Sequence, residues 1–262
     1  MTGTLHIVGL GPGSPAHRTP AAADAVRDAE VVVGYGPYVE QCADLLDGQA
    51  VVRGRMGEEG ARADEALDRA AAGARVALVS SGDAGIYGMA ARTLCRAAAL
   101  PDAERPAVVV VPGVTAALAA AARLGAPLAD DWASLSLSDL HLPWERVEAR
   151  LAAVAGAGLA LALYNPRSRE RTWQLDRVLE VLRAHRPDAT PVGLVTDAGR
   201  PGEVVLRTTL ATVDPELVGM RTVVLVAGES GAAAGPWLVA ERGRLAAAGP
   251  GVAAEQGGVA CP

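Results

Sequence analysis

Lysine and phenylalanine are missing from this 262-residue chain, aromatic residues make up 3% of it, and cysteine occurs three times. Each shortage excludes something. With so few rings there is no platform on which nucleic-acid bases could stack, and a net charge of −6 opposes binding to a phosphate backbone. No nucleic-acid partner is expected. Cys42, Cys95 and Cys261 are odd in number and far apart, and they form no C-x-x-C pair. That usage suits a reducing compartment and leaves no thiolate set for zinc or an iron–sulfur cluster. His6, His17, His141 and His185 have no ligand spacing either, so no metal is expected. No run of about 18 uncharged apolar residues is present to cross a membrane, and Leu5–Leu10 reads as a strand, not as a targeting segment. The expected location is the cytoplasm.

What is abundant is apolar and small. Half of the residues are hydrophobic, 30 are glycine, and all 24 basic residues are arginine. A chain of this length can bury a core of one or two domains. Short β-branched runs (Leu5–Leu10, Val31–Tyr35, Arg75–Ser80, Val108–Val111) alternate with alanine-rich segments (Thr19–Ala29, Ala61–Ala72, Met89–Ala99, Thr115–Leu124). Strand and helix in alternation imply an α/β fold with a mostly parallel N-terminal sheet. The pattern changes near Gly113, which divides the chain into an N-terminal α/β domain, 1–113, and a C-terminal one, 114–231.

The second domain reads as a mixed sheet. Strands are expected at Ala133–Leu137, Leu159–Tyr164, Val192–Thr196, Val204–Thr209 and Thr222–Ala227, with helices at Trp144–Val154 and Thr172–His185. Gly199-Arg200-Pro201-Gly202 joins two of these strands as a hairpin would. Residues 232–262 read as a partly flexible extension with at most a short helix near Pro236–Ala247.

Two strand ends carry glycine-rich turns. Gly9-Leu10-Gly11-Pro12-Gly13 follows the first strand, where glycines permit a tight turn and close approach by a ligand. It is not a complete dinucleotide fingerprint, because Ser14 and Ala16 break the spacing and Pro12 removes an amide. Ser81-Gly82-Asp83 follows another strand, at the carboxyl edge where open α/β sheets bind ligands. Asp83 could accept from ribose hydroxyls or attract a cation, or it could cap a helix beginning near Tyr87. Val111 to Ala116 repeats the arrangement, with Thr115 as ligand contact or cap.

Taken in order, the blocks form a series: G-x-G-P-G, Gly34-Tyr35-Gly36-Pro37-Tyr38, Ser81 to Ala90, Val111 to Ala116, Ser136 to Leu140, Leu163 to Ser168, and Ala198 to Glu203. The series resembles that of the tetrapyrrole (corrin) methylases over roughly residues 4–230, and among them the precorrin-3B C17-methylating members. The resemblance implies a two-domain tetrapyrrole methylase fold with a cleft between the domains, and a homodimer. It also implies S-adenosylmethionine as co-substrate, in contact with Pro12, Gly82, Asp83, Ile86, Thr115, Ala116 and Asn165. A precorrin would lie over the first glycine loop at Gly11 and Gly13. The implied reaction is methylation at C17 coupled to ring contraction, giving precorrin-4 on the way to cobalamin. Asp139 and His141, beside a strand end, are the nearest candidates for moving the proton of a C20 hydroxyl; Asp139 could instead cap a turn.

Two blocks depart from the family pattern: V-R-N-A-G-R becomes Val195-Thr196-Asp197-Ala198-Gly199-Arg200, and G-N-S becomes Gly228-Glu229-Ser230. Alternatives stay open. The substrate could be another corrin position or the cobalt-containing intermediate, and the chain could be a weakly catalytic tetrapyrrole-binding paralogue. A nucleotide-dependent oxidoreductase is weakened by the broken fingerprint.

Arginines complete the reading. Arg167, Arg169 and Arg171 crowd what reads as the start of a helix opened by Asn165-Pro166, with Ser168 as N-cap. Cations are unfavourable in a first helical turn. With Arg200 they could form a rim that grips the carboxylate arms of a tetrapyrrole; pairing with Glu170 or Asp176 is the plainer alternative.

Overall fold

The computed structural model describes residues 2–243. The described residues divide into two compact units: one runs to Ala120 and includes Thr196–Val204, and the other holds Ala121–Val195 and the described chain after Val204.

The first unit is a five-stranded sheet in the order β3-β2-β4-β1-β5, with parallel pairing throughout. Its strands are β1 (Thr4–Gly9), β2 (Val31–Tyr35), β3 (Ala50–Gly54), β4 (Arg75–Ser80) and β5 (Ala107–Val111), and its helices are α1 (Pro20–Arg27), α2 (Gly36–Gln41), α3 (Glu59–Ala71) and α4 (Ala90–Ala98). Helix α5 (Ala116–Leu124) follows β5. The inner strands β1, β2 and β4 are apolar on both faces because both are covered. Leu5, Ile7, Val31, Val33, Val76 and Leu78 pack with Ala63, Ala66, Leu67 and Ala70 of α3 and Ala90 and Ala97 of α4. On the other face Val8, Val32, Ala77 and Val79 pack with Ala22, Ala25 and Val26 of α1 and Val39 of α2. The alanines are what let helices approach the sheet closely.

The connections from β1 and β4 therefore leave on opposite faces. From β1 the chain passes through α1 to β2, and from β4 it passes through α4 to β5 on the far side of β1. Adjacent strands whose connections diverge in this way define the switch point at which open α/β sheets bind ligands. Here it falls between β1 and β4. Helix α1 starts immediately beyond it, where Thr19 caps the Ala22 amide at 3.1 Å and Pro20 occupies the first turn.

The second unit is a mixed sheet in the order β10-β9-β11-β8-β7, from β7 (Trp132–Ser136), β8 (Ala160–Tyr164), β9 (Pro191–Thr196), β10 (Val204–Thr209) and β11 (Thr222–Val226). Strand β7 runs parallel to β8, and β11 antiparallel to it. Helices α6 (Trp144–Gly156) and α7 (Gln174–His185) contribute Val147, Leu151, Leu175, Val178, Leu179 and Leu182 to its core.

Several elements differ from the sequence expectation, beginning with the short helix α2 at Gly36–Gln41, which no local periodicity announces. Residues 50–54 form edge strand β3. The helix expected near Pro236–Ala247 is replaced, as far as it is described, by β12 (Gly231–Ala234) and β13 (Trp237–Ala240), a hairpin that pairs with β6 (Gly125–Ala126). The remainder of that segment, with Cys261, lies outside the described residues. The helix after Asn165 begins only at Gln174. No helix among the described residues is long and apolar enough to cross a membrane.

Candidate functional site

At the switch point the loops after β1 and β4 are joined by a two-residue antiparallel bridge. The Gly11 amide donates to the Gly82 carbonyl at 3.0 Å, and the Gly82 amide to the Gly11 carbonyl at 2.7 Å. Both residues have left-handed backbones, φ +78° and +69°, open to glycine at little cost. The loop after β5 closes in from the other side. A Cβ on Gly113 would stand 2.3 Å from the Gly82 carbonyl oxygen and 2.5 Å from that of Gly9. Three glycine backbones thus pack on one another where β4, β1 and β5 end.

Asp83 braces the same junction. Its Oδ2 accepts from the Gly113 amide at 2.9 Å and its Oδ1 from the Gly85 amide at 2.8 Å. It does not cap a helix: α4 begins at Ala90 after Met89, which makes no side-chain cap. Ile86 and Tyr87, exposed on the same loop, stand 42% and 52% open. Gly82 differs from its glycine neighbours, since the nearest atoms to a Cβ there are the Ala116 amide nitrogen at 3.7 Å and Thr115 Cα at 3.8 Å. The structure thus brings Gly11, Pro12, Gly13, Gly82, Asp83, Ile86, Thr115 and Ala116 into one region of the first unit.

Arg200 belongs to that region too. Its Nε donates to the Pro12 carbonyl at 2.7 Å, and its Nη2 donates to Ser81 Oγ at 2.9 Å and Gln41 Oε1 at 3.1 Å. Its stem covers Gly13, where a Cβ would lie 2.2 Å from Arg200 Cγ. Tyr38 feels both Arg200 and Arg62, which pull its phenol toward ionisation, but burial outweighs them and holds its pKa above the ordinary value.

The other candidates lie in the second unit. Asn165, just past β8, has φ +50° and donates from Nδ2 to Ser136 Oγ at 3.0 Å. Arg171 ties down the loop from Asn165, donating from Nη1 to the carbonyls of Asn165 (2.9 Å) and Leu137 (3.1 Å). Asp139 accepts at Oδ2 from Gln174 Nε2 at 3.1 Å, with Arg171 Nε 4.0 Å from Oδ1. It caps no turn. His141 is exposed in the loop before α6.

The three arginines part company. Arg167 donates to the Pro215 carbonyl at 2.8 Å and to Glu216 at 2.5 Å, Arg171 is committed to backbone, and Arg169 is exposed. Because Ser168 closes a turn with Arg171 and α7 starts later, none stands in a helical first turn, and the expected dipole penalty does not arise.

Non-glycine residues in the left-handed region occur in loops of both units. Asn165 (φ +50°) and Asp197 (φ +53°) directly follow β8 and β9, and Tyr87 (φ +53°) lies in the loop between β4 and α4. Such conformations cost of order 1–3 kcal/mol and cluster at functional sites. Tyr87 carries most weight, since asparagine and aspartate tolerate the region better. The sequence reading missed Ser81, Gln41 and Gln174; only Ser81 lay within a motif. The Glu229 departure has a local setting, in which its side chain covers Gly158 and its charge favours the cationic form of Arg186 against the burial that lowers its pKa.

Comparison with known proteins adds the following. The family model described as Tetrapyrrole (Corrin/Porphyrin) Methylases matches residues 4–214. A protein named precorrin-3B C(17)-methyltransferase from Sinorhizobium sp is 45% identical over 228 residues, covering 86% of this chain and 89% of the relative. One named probable cobalt-factor III C(17)-methyltransferase from Salmonella typhimurium is 41% identical over 241 residues, covering 91% and 98%. Among solved structures, that of the methyltransferase CobJ superposes with a TM-score of 0.87 at 38% identity, covering 92% of this chain and all of that one.

Proposed function

Since the chain belongs to the tetrapyrrole methylases and is a methyltransferase, we propose that it transfers a methyl group from S-adenosylmethionine to C17 of precorrin-3B, with ring contraction to precorrin-4. The observation that carries this reading is the Gly11–Gly82 bridge, flanked by Gly113 at the switch point, in a chain 45% identical to a relative of that name.

The residues fit such a ligand. Space for a side chain at Gly82 is unfilled by protein, Ile86 offers an apolar surface, and backbone groups of the three loops are held in fixed directions. Pro12, Gly82, Asp83, Ile86, Thr115 and Ala116 are the residues proposed to hold the co-substrate, with Asn165 added on its motif alone. The co-substrate supplies an electrophilic methyl on sulfur, which departs as a neutral thioether.

Charge is dispersed in that step, so the protein's task is alignment and exclusion of water, and no strong base is needed. Rigid glycine turns suit this. Ring contraction requires loss of the C20 hydroxyl proton, and Asp139 is the side chain proposed to accept it, oriented by Gln174; His141 is the other candidate. Gly11, Gly13 and Arg169 are proposed to meet the tetrapyrrole. A homodimer in the cytoplasm goes with the reading.

The relative named for cobalt-factor III favours a second reading, in which cobalt is already in the ring. Calorimetry tests the shared premise. The protein is expected to bind S-adenosylmethionine and S-adenosylhomocysteine but not NAD; NAD binding without an S-adenosylmethionine signal would overturn it.

A further inference from the structure

Arg200 reaches the Gly11 carbonyl by two routes as well as holding Pro12 directly. Along the first, Nη2 donates to Ser81 Oγ, and that hydroxyl lies 3.4 Å from the Gly11 oxygen as its donor. Along the second, Nη2 donates to Gln41 Oε1, and the same amide donates from Nε2 to the Gly11 oxygen at 2.7 Å. The Gly82 amide is a third donor to that oxygen. One guanidinium thus organises two consecutive carbonyls, Gly11 and Pro12, through elements that end β1, β4 and α2. Gly13 is bare because the arginine stem occupies the space a side chain would take.

We propose that Arg200 is a positioning residue for methyl transfer. It fixes the Gly11–Gly13 loop through Pro12, Ser81 and Gln41, and it acts on the reaction through that loop, not by pairing with substrate carboxylates. The geometry demands arginine. A planar fork with Nε and Nη2 on one edge can serve three acceptors at once, whereas a lysine ammonium cannot span them in the same directions. The cation also strengthens both relays, since a hydroxyl or amide that accepts from a charged donor is polarised to donate better onward. Because the loop closes the switch point, a small displacement there disturbs alignment of the reacting atoms, which can cost on the order of 100-fold in rate.

The inference rests on the methyltransferase reading, and its test separates the two. Arg200→Gln, Arg200→Lys, Ser81→Ala and the Arg200→Gln/Ser81→Ala pair would be compared with wild type in steady-state methylation of precorrin-3B and in hydrogen–deuterium exchange. Arg200→Gln should lower kcat by about 10- to 100-fold. The salt dependence of KM for the tetrapyrrole should stay as in wild type, with KM rising less than kcat falls because the loosened loop also meets the substrate, and Arg200→Lys should not rescue. The pair should lose little more than Arg200→Gln alone, because both act on one carbonyl. Exchange should quicken in peptides covering 9–13 and 78–85 but not in β2. A raised KM with a flattened salt dependence, rescue by lysine, or unchanged exchange in an active enzyme would each overturn the proposal. A wild-type protein that transfers no methyl group would overturn the functional reading, and with it the catalytic role of Arg200, whatever the exchange result.

Discussion

The Gly113 amide is bound to Asp83 Oδ2 at 2.9 Å, so the loop after β5 is fastened to the loop after β4 across the intervening end of β1. Asp83→Ala strips a partner from that part-buried amide and another from Gly85. The expected loss is about 1–3 kcal/mol, with weakened S-adenosylmethionine binding. Asp83→Asn should recover part of it, since its carbonyl oxygen can still accept. Thermal denaturation and calorimetry check this; an unchanged Tm in Asp83→Ala would mean that the brace contributes nothing.

The glycines should separate by role. At Gly113 a methyl meets two carbonyl oxygens at 2.3 and 2.5 Å, and backbone must move, so Gly113→Ala should cost about 3 kcal/mol or more. At Gly82 there is room, and only the φ of +69° is unfavourable, at about 1–2 kcal/mol. Gly82→Ala should therefore fold and lose co-substrate affinity. Equal losses of stability in the two variants would contradict the assignment of Gly82 to the ligand side.

Arg167 and Arg169 should behave differently despite their closeness in sequence. Arg167→Gln removes hydrogen bonds to Pro215 and Glu216 and should lower Tm. Arg169→Gln should leave Tm alone, raise KM for the tetrapyrrole and reduce its salt sensitivity. An Arg169→Gln enzyme with wild-type KM at low salt would make that residue ordinary surface.

Asp44 supplies a pH dependence. It holds the nearly buried Arg18 by two hydrogen bonds, at 2.9 and 3.0 Å, and that pairing keeps its carboxyl below the ordinary value. A depressed carboxyl contributes stability above its unfolded pKa and loses it as pH falls through the folded one. At pH 7, Asp44→Asn should lower Tm by about 2–4 °C, the shift made by roughly 1 kcal/mol in a protein of this size. The gap between the two proteins should shrink below about pH 4, near the unfolded pKa of aspartate. A gap that persists undiminished at the lowest pH where both fold would contradict the ionic origin.

Much of this architecture is legible in local sequence. Val31–Tyr35 and Arg75–Ser80 are strands at the expected residues, because runs of valine with turn signals at both ends have few other uses. Strand β3 escaped notice because Ala50-Val51-Val52-Arg53-Gly54 is a half-exposed edge without alternation. Residues 231–234, Gly-Ala-Ala-Ala, favour helix locally, and only pairing with Trp237–Ala240, which in turn pairs with β6, makes them a strand. The glycine turns were visible at the site for the same reason as the strands, being backbone requirements written in one residue type. Their fastenings were not. Arg200 meets Pro12 across 188 positions and Gln41 across 159, and no periodicity reports such a contact. Arg167 looked free in sequence for a similar reason, since its partners lie 48 and 49 positions away.

The central claim is the reaction itself, tested by incubating the purified protein with precorrin-3B and S-adenosylmethionine carrying an isotopically labelled methyl group, then determining the mass and label position of the tetrapyrrole product. The account predicts one labelled methyl at C17 in a ring-contracted macrocycle. Label at another carbon, or an unchanged tetrapyrrole with S-adenosylmethionine bound and intact, would contradict it.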